Sequence, residues 1–141
     1  MKPILGFLTL GVNDLDNMKQ FYKEKFGWTP MKDSDGIVFF KLNGFMLGLF
    51  SSHELANDIG TASEGKGFKN LTMAINFTSE GEVDHAVAEL RLKGVRIVKE
   101  PTKISWGGYH SYIADPEDNY WELAYNPFLI FDKEGNVDKH V

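Results

Sequence analysis

Trp106-Gly107-Gly108-Tyr109-His110-Ser111-Tyr112-Ile113-Ala114-Asp115-Pro116-Glu117-Asp118-Asn119-Tyr120-Trp121-Glu122-Leu123-Ala124-Tyr125-Asn126-Pro127 is the stretch whose reading decides the fold. Tyr109 to Ala114 and Tyr120 to Tyr125 are short aromatic and aliphatic runs, and Asp115-Pro116-Glu117-Asp118-Asn119 between them supplies turn chemistry. Pro116 presets φ for the turn, and Asp118 or Asn119 tolerates the left-handed conformation that closes it. The stretch therefore reads as a β-hairpin. Glu122 is the anomaly in it. Side chains alternate along a strand, so Glu122 shares a face with Tyr120 and Ala124, opposite Trp121, Leu123 and Tyr125. If both faces are covered, it is a semi-buried acid, and such groups need a partner or a role.

The hairpin closes the second of two units with the same pattern. Ile4 to Val12 reads as a strand, and Asp14 caps a helix carrying Leu15, Met18, Phe21, Tyr22 and Phe26 inward, with Gly27 just past its end. Three strands follow: Trp28 to Lys32, Ile37 to Leu42 and Phe45 to Phe50, separated by Ser34-Asp35-Gly36 and Asn43-Gly44. Residues 52–69 read as a linker with a short helix at His53 to Ile59. Asn70 to Phe77 is again a strand, and Ser79-Glu80-Gly81-Glu82 has capping-box spacing before a helix with Val83, Ala86, Val87 and Leu90 inward. Gly94, a strand from Val95 to Lys99 ended by Pro101, and the hairpin complete a second β-α-β-β-β unit. Residues 128–141 read as a mixed tail with a surface turn at Asp132 to Gly135.

Superposing the halves places Val12 on Phe77, Gly27 near Gly94 and Asn43-Gly44 on Asp118-Asn119. In that register Phe7 matches Thr72 and Leu47 matches Glu122. The reading is one domain over 1–127, with modules 4–51 and 70–127.

Composition narrows the function. With 141 residues and 43% apolar content the chain has enough material for one real core. Eleven Phe, five Tyr and three Trp point to an aromatic core or an aromatic-lined pocket. A net charge of −5 without a local Lys/Arg cluster argues against nucleic acid or an anionic membrane as partner. The chain has no cysteine, which removes disulfides, thiolate metal sites and cysteine nucleophiles. With no apolar run of membrane length and no signal-peptide pattern at the first residues, the expected location is cytoplasmic.

In the order and spacing of several pieces the sequence resembles the vicinal oxygen chelate superfamily, the group of glyoxalase I, bleomycin-resistance proteins and extradiol dioxygenases. The pieces are Leu10-Gly11-Val12-Asn13-Asp14-Leu15, Phe21-Tyr22, Phe26-Gly27-Trp28, Trp106-Gly107-Gly108-Tyr109, Asp115-Pro116 and Trp121-Glu122-Leu123-Ala124. The resemblance implies an α+β fold in which tandem β-α-β-β-β modules form a curved, incomplete mixed barrel around a cavity, and commonly a homodimer. It also implies a divalent metal held by one side chain from each of four strands. Carried over to this chain, those positions are Phe7, Leu47, Thr72 and Glu122. Only Glu122 is a competent ligand, so the expectation is a chain without a tight metal and without another cofactor.

His53, His85 and His140 are expected on the surface. His110 lies on the strand paired with that of Glu122 and meets the carboxylate if their faces agree; the pair would then serve as general acid and base. Otherwise His110 is a hydrogen-bonded edge residue. Trp106 and Tyr109 are candidates for stacking on or gating a ligand, against a loop-anchor role for Trp106; Phe7, Leu47 and Thr72 are candidate lining. Three functions remain open. One is a metal-free binder of a small, planar, cationic molecule around Glu122. Another is a lyase, isomerase or dioxygenase using Glu122 as general base. The third is a structural domain with a filled core.

Overall fold

The computed structural model describes residues 7–60, 62–65, 68–69 and 71–141. The expected strand positions 4–6 and 70, and linker residues 61, 66 and 67, lie outside the described residues. The chain divides into two units, Met1–Gly67 and Phe68–Val141.

In the first unit, the Asp14 side chain accepts a hydrogen bond from the Asn17 backbone N–H at 2.9 Å, which ends β1 (Phe7–Val12) and opens α1 (Leu15–Glu24). That cap satisfies one of the helix's orphan donors, and the 3.6-residue spacing then buries Met18, Phe21 and Tyr22. β2 (Pro30–Ser34), β3 (Ile37–Lys41) and β4 (Met46–Ser51) follow. The sheet order is β1-β4-β3-β2, with β1 parallel to β4 and the other pairs antiparallel. Tyr22 stacks on Trp28 at 5.7 Å, and both rings meet Phe40, so the aromatic richness of this half is spent on its core. The expected linker begins as structure: α2 (Ser52–Ile59) packs on β1 and β4. Gly11 permits the approach, since a Cβ there would lie 3.2 Å from the Ser52 Cα.

The second unit repeats the plan. β5 (Thr72–Phe77), α3 (Glu80–Leu92), β6 (Arg96–Lys103), β7 (Tyr109–Ala114) and β8 (Tyr120–Tyr125) form a sheet of order β5-β8-β7-β6, with β5 parallel to β8. α3 buries Val83, Val87 and Leu90 on one sheet face, where Ile113, Trp121 and Leu123 are also buried. The capping box is displaced by one residue. Ser79 accepts from the Glu82 N–H, but Glu82 reaches back to the Thr78 N–H at 2.7 Å and its hydroxyl at 2.8 Å. These bonds to Thr78 hold the Glu82 carboxyl below its usual range.

Three sequence expectations are corrected. β6 does not stop at Pro101; it runs to Lys103. It is the sheet edge, where a proline's missing N–H costs no ladder bond, and irregularities between Ile97 and Thr102 absorb the ring. The tail is not irregular either, because β9 (Leu129–Phe131) and β10 (Val137–His140) pair as a hairpin. Finally, the overlay of the halves shifts by one. Phe7 pairs with Met46 and Thr72 with Tyr120, so Gly48, not Leu47, occupies the place of Glu122. The turns explain the slip: the left-handed residue is Gly44 in one and Asp118 in the other, and the second turn carries its extra residue before that point, so Asn43-Gly44 lies over Glu117-Asp118 rather than Asp118-Asn119.

Candidate functional site

β7 and β8 pair Tyr112 opposite Glu122 and His110 opposite Ala124. Alternation therefore brings Glu122, Tyr112 and His110 to one face of the sheet, away from α3. His110 and Glu122 are diagonal neighbours, within reach of long side chains, and the His110 Nδ1 lies 2.6 Å from the Glu122 Oε1. On the other side of the ring, Lys99 Nζ from β6 lies 2.9 Å from the His110 Nε2.

The donors settle the tautomer. An ammonium can only donate, so Nε2 must accept and the ring proton sits on Nδ1, donated to the carboxylate. His110 thus bridges Lys99 and the Glu122 carboxylate. Its side chain is 10% exposed and that of Glu122 is 23% exposed, so the carboxylate is the part of the pair that a small molecule can reach. Tyr112 adds a phenol opposite Glu122 on the same face. Burial first, then the Glu122 charge, raises the Tyr112 pKa above that of a free tyrosine and keeps it a donor.

The other expected site residues lie elsewhere. Tyr109 is on the α3 face of the sheet, where its hydroxyl donates to Asp84 at 2.7 Å; that bond, with burial, pushes its pKa up to about 12. One residue's parity separates it from His110. Thr72 shares the Glu122 face, but its hydroxyl donates to the Tyr120 carbonyl at 3.2 Å. Trp106 sits in the β6–β7 loop, half exposed, 6.3 Å from the Phe128 ring and laid over Gly108. In the first unit Phe7 packs edge-on against Phe39 at 5.1 Å, while Leu47 is fully buried on the face opposite to Phe7. Leu47 is therefore core of its sheet, and Gly48 beside the Phe39 ring replaces it in the pattern. Two members of the site were missed. Tyr112 was legible as two residues from His110 on the same face. Lys99 was not, because the irregular edge around Pro101 hides which β6 residue reaches the imidazole.

Residues 4–123 match the family model described as Glyoxalase/Bleomycin resistance protein/Dioxygenase superfamily. The chain belongs to that superfamily. It is similar to a glyoxalase-related enzyme from Fulvimarina pelagi, at 30% identity over 99% of this chain and 100% of that one, with a TM-score of 0.89. A glyoxalase/bleomycin resistance protein/dioxygenase from Nocardioides shares the fold at 22% identity and a TM-score of 0.80, covering 100% of this chain and 91% of that one. So does a lactoylglutathione lyase from Agrobacterium tumefaciens, at 23% identity and a TM-score of 0.72, covering 89% and 96%.

The superfamily's metal is a poor match to the donors of this member. At the four positions, in the corrected register, stand an aromatic ring, a glycine, a hydroxyl already donating to a backbone carbonyl, and one carboxylate whose Oε1 accepts from His110. Among the described residues, no group of three His, Asp or Glu could hold a metal ion. Hard or borderline cations need several such donors at once.

Proposed function

We propose that this superfamily member binds a small organic molecule on the Glu122 face of its second sheet, and that Glu122 exchanges a proton with it without a divalent metal. The observation that carries the reading is the 2.6 Å contact between His110 Nδ1 and Glu122 Oε1, in which the histidine is buried and the carboxylate still reachable. A carboxylate held by His110 of its own sheet keeps lone pairs for a ligand, as a general base requires. When Glu122 takes a proton, the Nδ1–H can move its bond to the remaining lone pairs, and the Lys99 cation offsets the charge that develops on the ligand. The glyoxalase-related enzyme from Fulvimarina pelagi, similar along the whole chain, supports an enzyme rather than a passive scaffold.

Glu122→Gln is the test. The amide oxygen still accepts from His110, so the melting temperature should change by less than the equivalent of about 1 kcal/mol. Ligand-induced thermal shifts from a metabolite library, or turnover of any hit, should disappear. A lower melting temperature with shifts intact would make the pair structural and retire the reading.

A further inference from the structure

We propose that Lys99 is the anion-binding group of this site and that the molecule it takes is a small hydroxy carboxylate. The inference rests on the Glu122-centred reading and reverses the cationic ligand expected from the net charge. Lys99 emerges from an edge strand, is exposed, and has three N–H donors, of which the His110 Nε2 takes one. The other cations of β6 are matched: Arg96 pairs with Asp118, and Lys103 with Glu80 at 3.4 Å. Lys99 makes no salt bridge with a carboxylate among the described residues; its side-chain partner is the His110 ring.

A ligand approaching this face therefore meets a cation with two donors to spare and, beyond one imidazole, a carboxylate that only accepts. An ammonium-bearing ligand would gain from Glu122 but would be repelled by Lys99. A carboxylate gains two charge-assisted bonds from Lys99, and a hydroxyl on the adjacent carbon can donate to Glu122. The separation of the two groups, one ring and two hydrogen bonds, is roughly 7 Å, which a three-carbon hydroxy acid and its own two hydrogen bonds can span.

The experiment is a titration of the full chain with lactate and with its neutral analogue lactamide, followed by backbone and imidazole ¹H–¹⁵N NMR. Lactate should shift the His110 ring resonances saturably, and lactamide should bind at least about tenfold more weakly. Lys99→Met should weaken lactate by a similar factor, and Lys99→Arg, which keeps charge and donors, should recover most of it. If lactate shifts His110 but Lys99→Met binds it equally well, the role of Lys99 falls and the Glu122 site stands. If choline shifts His110 and lactate does not, the ligand class is wrong and the site again stands. Lactate shifts confined to residues outside β6–β8, or none, overturn the inference and leave Glu122 to its own substitution.

Discussion

Tyr109 and His110 are neighbours in sequence with unrelated surroundings. The His110 imidazole joins Glu122 and Lys99, while the Tyr109 phenol is bound to Asp84 of α3. The hydrogen bond to Asp84, reinforced by burial, favours protonated Tyr109 in the folded chain up to about 12, against ~10 for a free tyrosine. A raised pKa of this kind contributes stability that is fully present below the unfolded value and is lost as pH rises through the folded one. The melting temperature of the wild type should therefore fall between pH ~10 and 12 with a component that Tyr109→Phe removes. Absorbance at the phenolate band, titrated in parallel, should show one fewer late-ionising tyrosine in the variant. Tyr112→Phe acts on the other face. It removes the phenol opposite Glu122 and should weaken ligand binding or turnover while the Tyr109 titration stays unchanged.

Two turns of the second unit are built alike. Asp115 accepts from the backbone N–H of Glu117 and Asn119 and from the Asn119 amide at 2.8–3.0 Å. Asp132 makes the same three bonds with Glu134 and Asn136 at 2.8–2.9 Å. In each, the residue before the asparagine has positive φ, Asp118 at 60° and Gly135 at 83°. Asp115 and Asn119 are buried, and the turn is further clamped by Lys69, whose Nζ bonds the Glu117 carbonyl and the Asn119 side chain at 2.9 Å. It also sets where β8 starts, hence the register that puts Glu122 beside His110. Asp115→Ala should cost about 2–4 kcal/mol, because buried donors lose their acceptor. Asp132→Ala should cost clearly less, since water replaces the exposed carboxylate; equal losses in denaturant unfolding would refute this. The hairpin itself was readable from Asp-Pro and its flanking runs. The tail hairpin was not, because β9 is only three residues long and β10 is exposed throughout, leaving no alternation to detect.

Of the four positions that the family resemblance assigns to metal ligands, three in the corrected register, Phe7, Gly48 and Thr72, carry no strong donor. Ni²⁺, Zn²⁺, Mn²⁺ and Fe²⁺ should each leave the melting temperature within about 1 °C, whereas a tight ion would raise it by mass action. A shift saturating at one ion per chain would contradict the corrected register. The homodimer that the family resemblance implies is tested by mass. Sedimentation at micromolar concentration should give twice the chain mass. The sequence by itself determined the two modules, their caps and turns, and the parity that isolates Glu122 from Trp121 and Leu123, because these depend on period and local backbone preference. Tertiary structure alone decided which residue answers Glu122 across the repeat and that Lys99 completes the row. Each of these depends on a turn one residue longer or an irregular edge strand, and a shift of one residue reverses which side chains face which way.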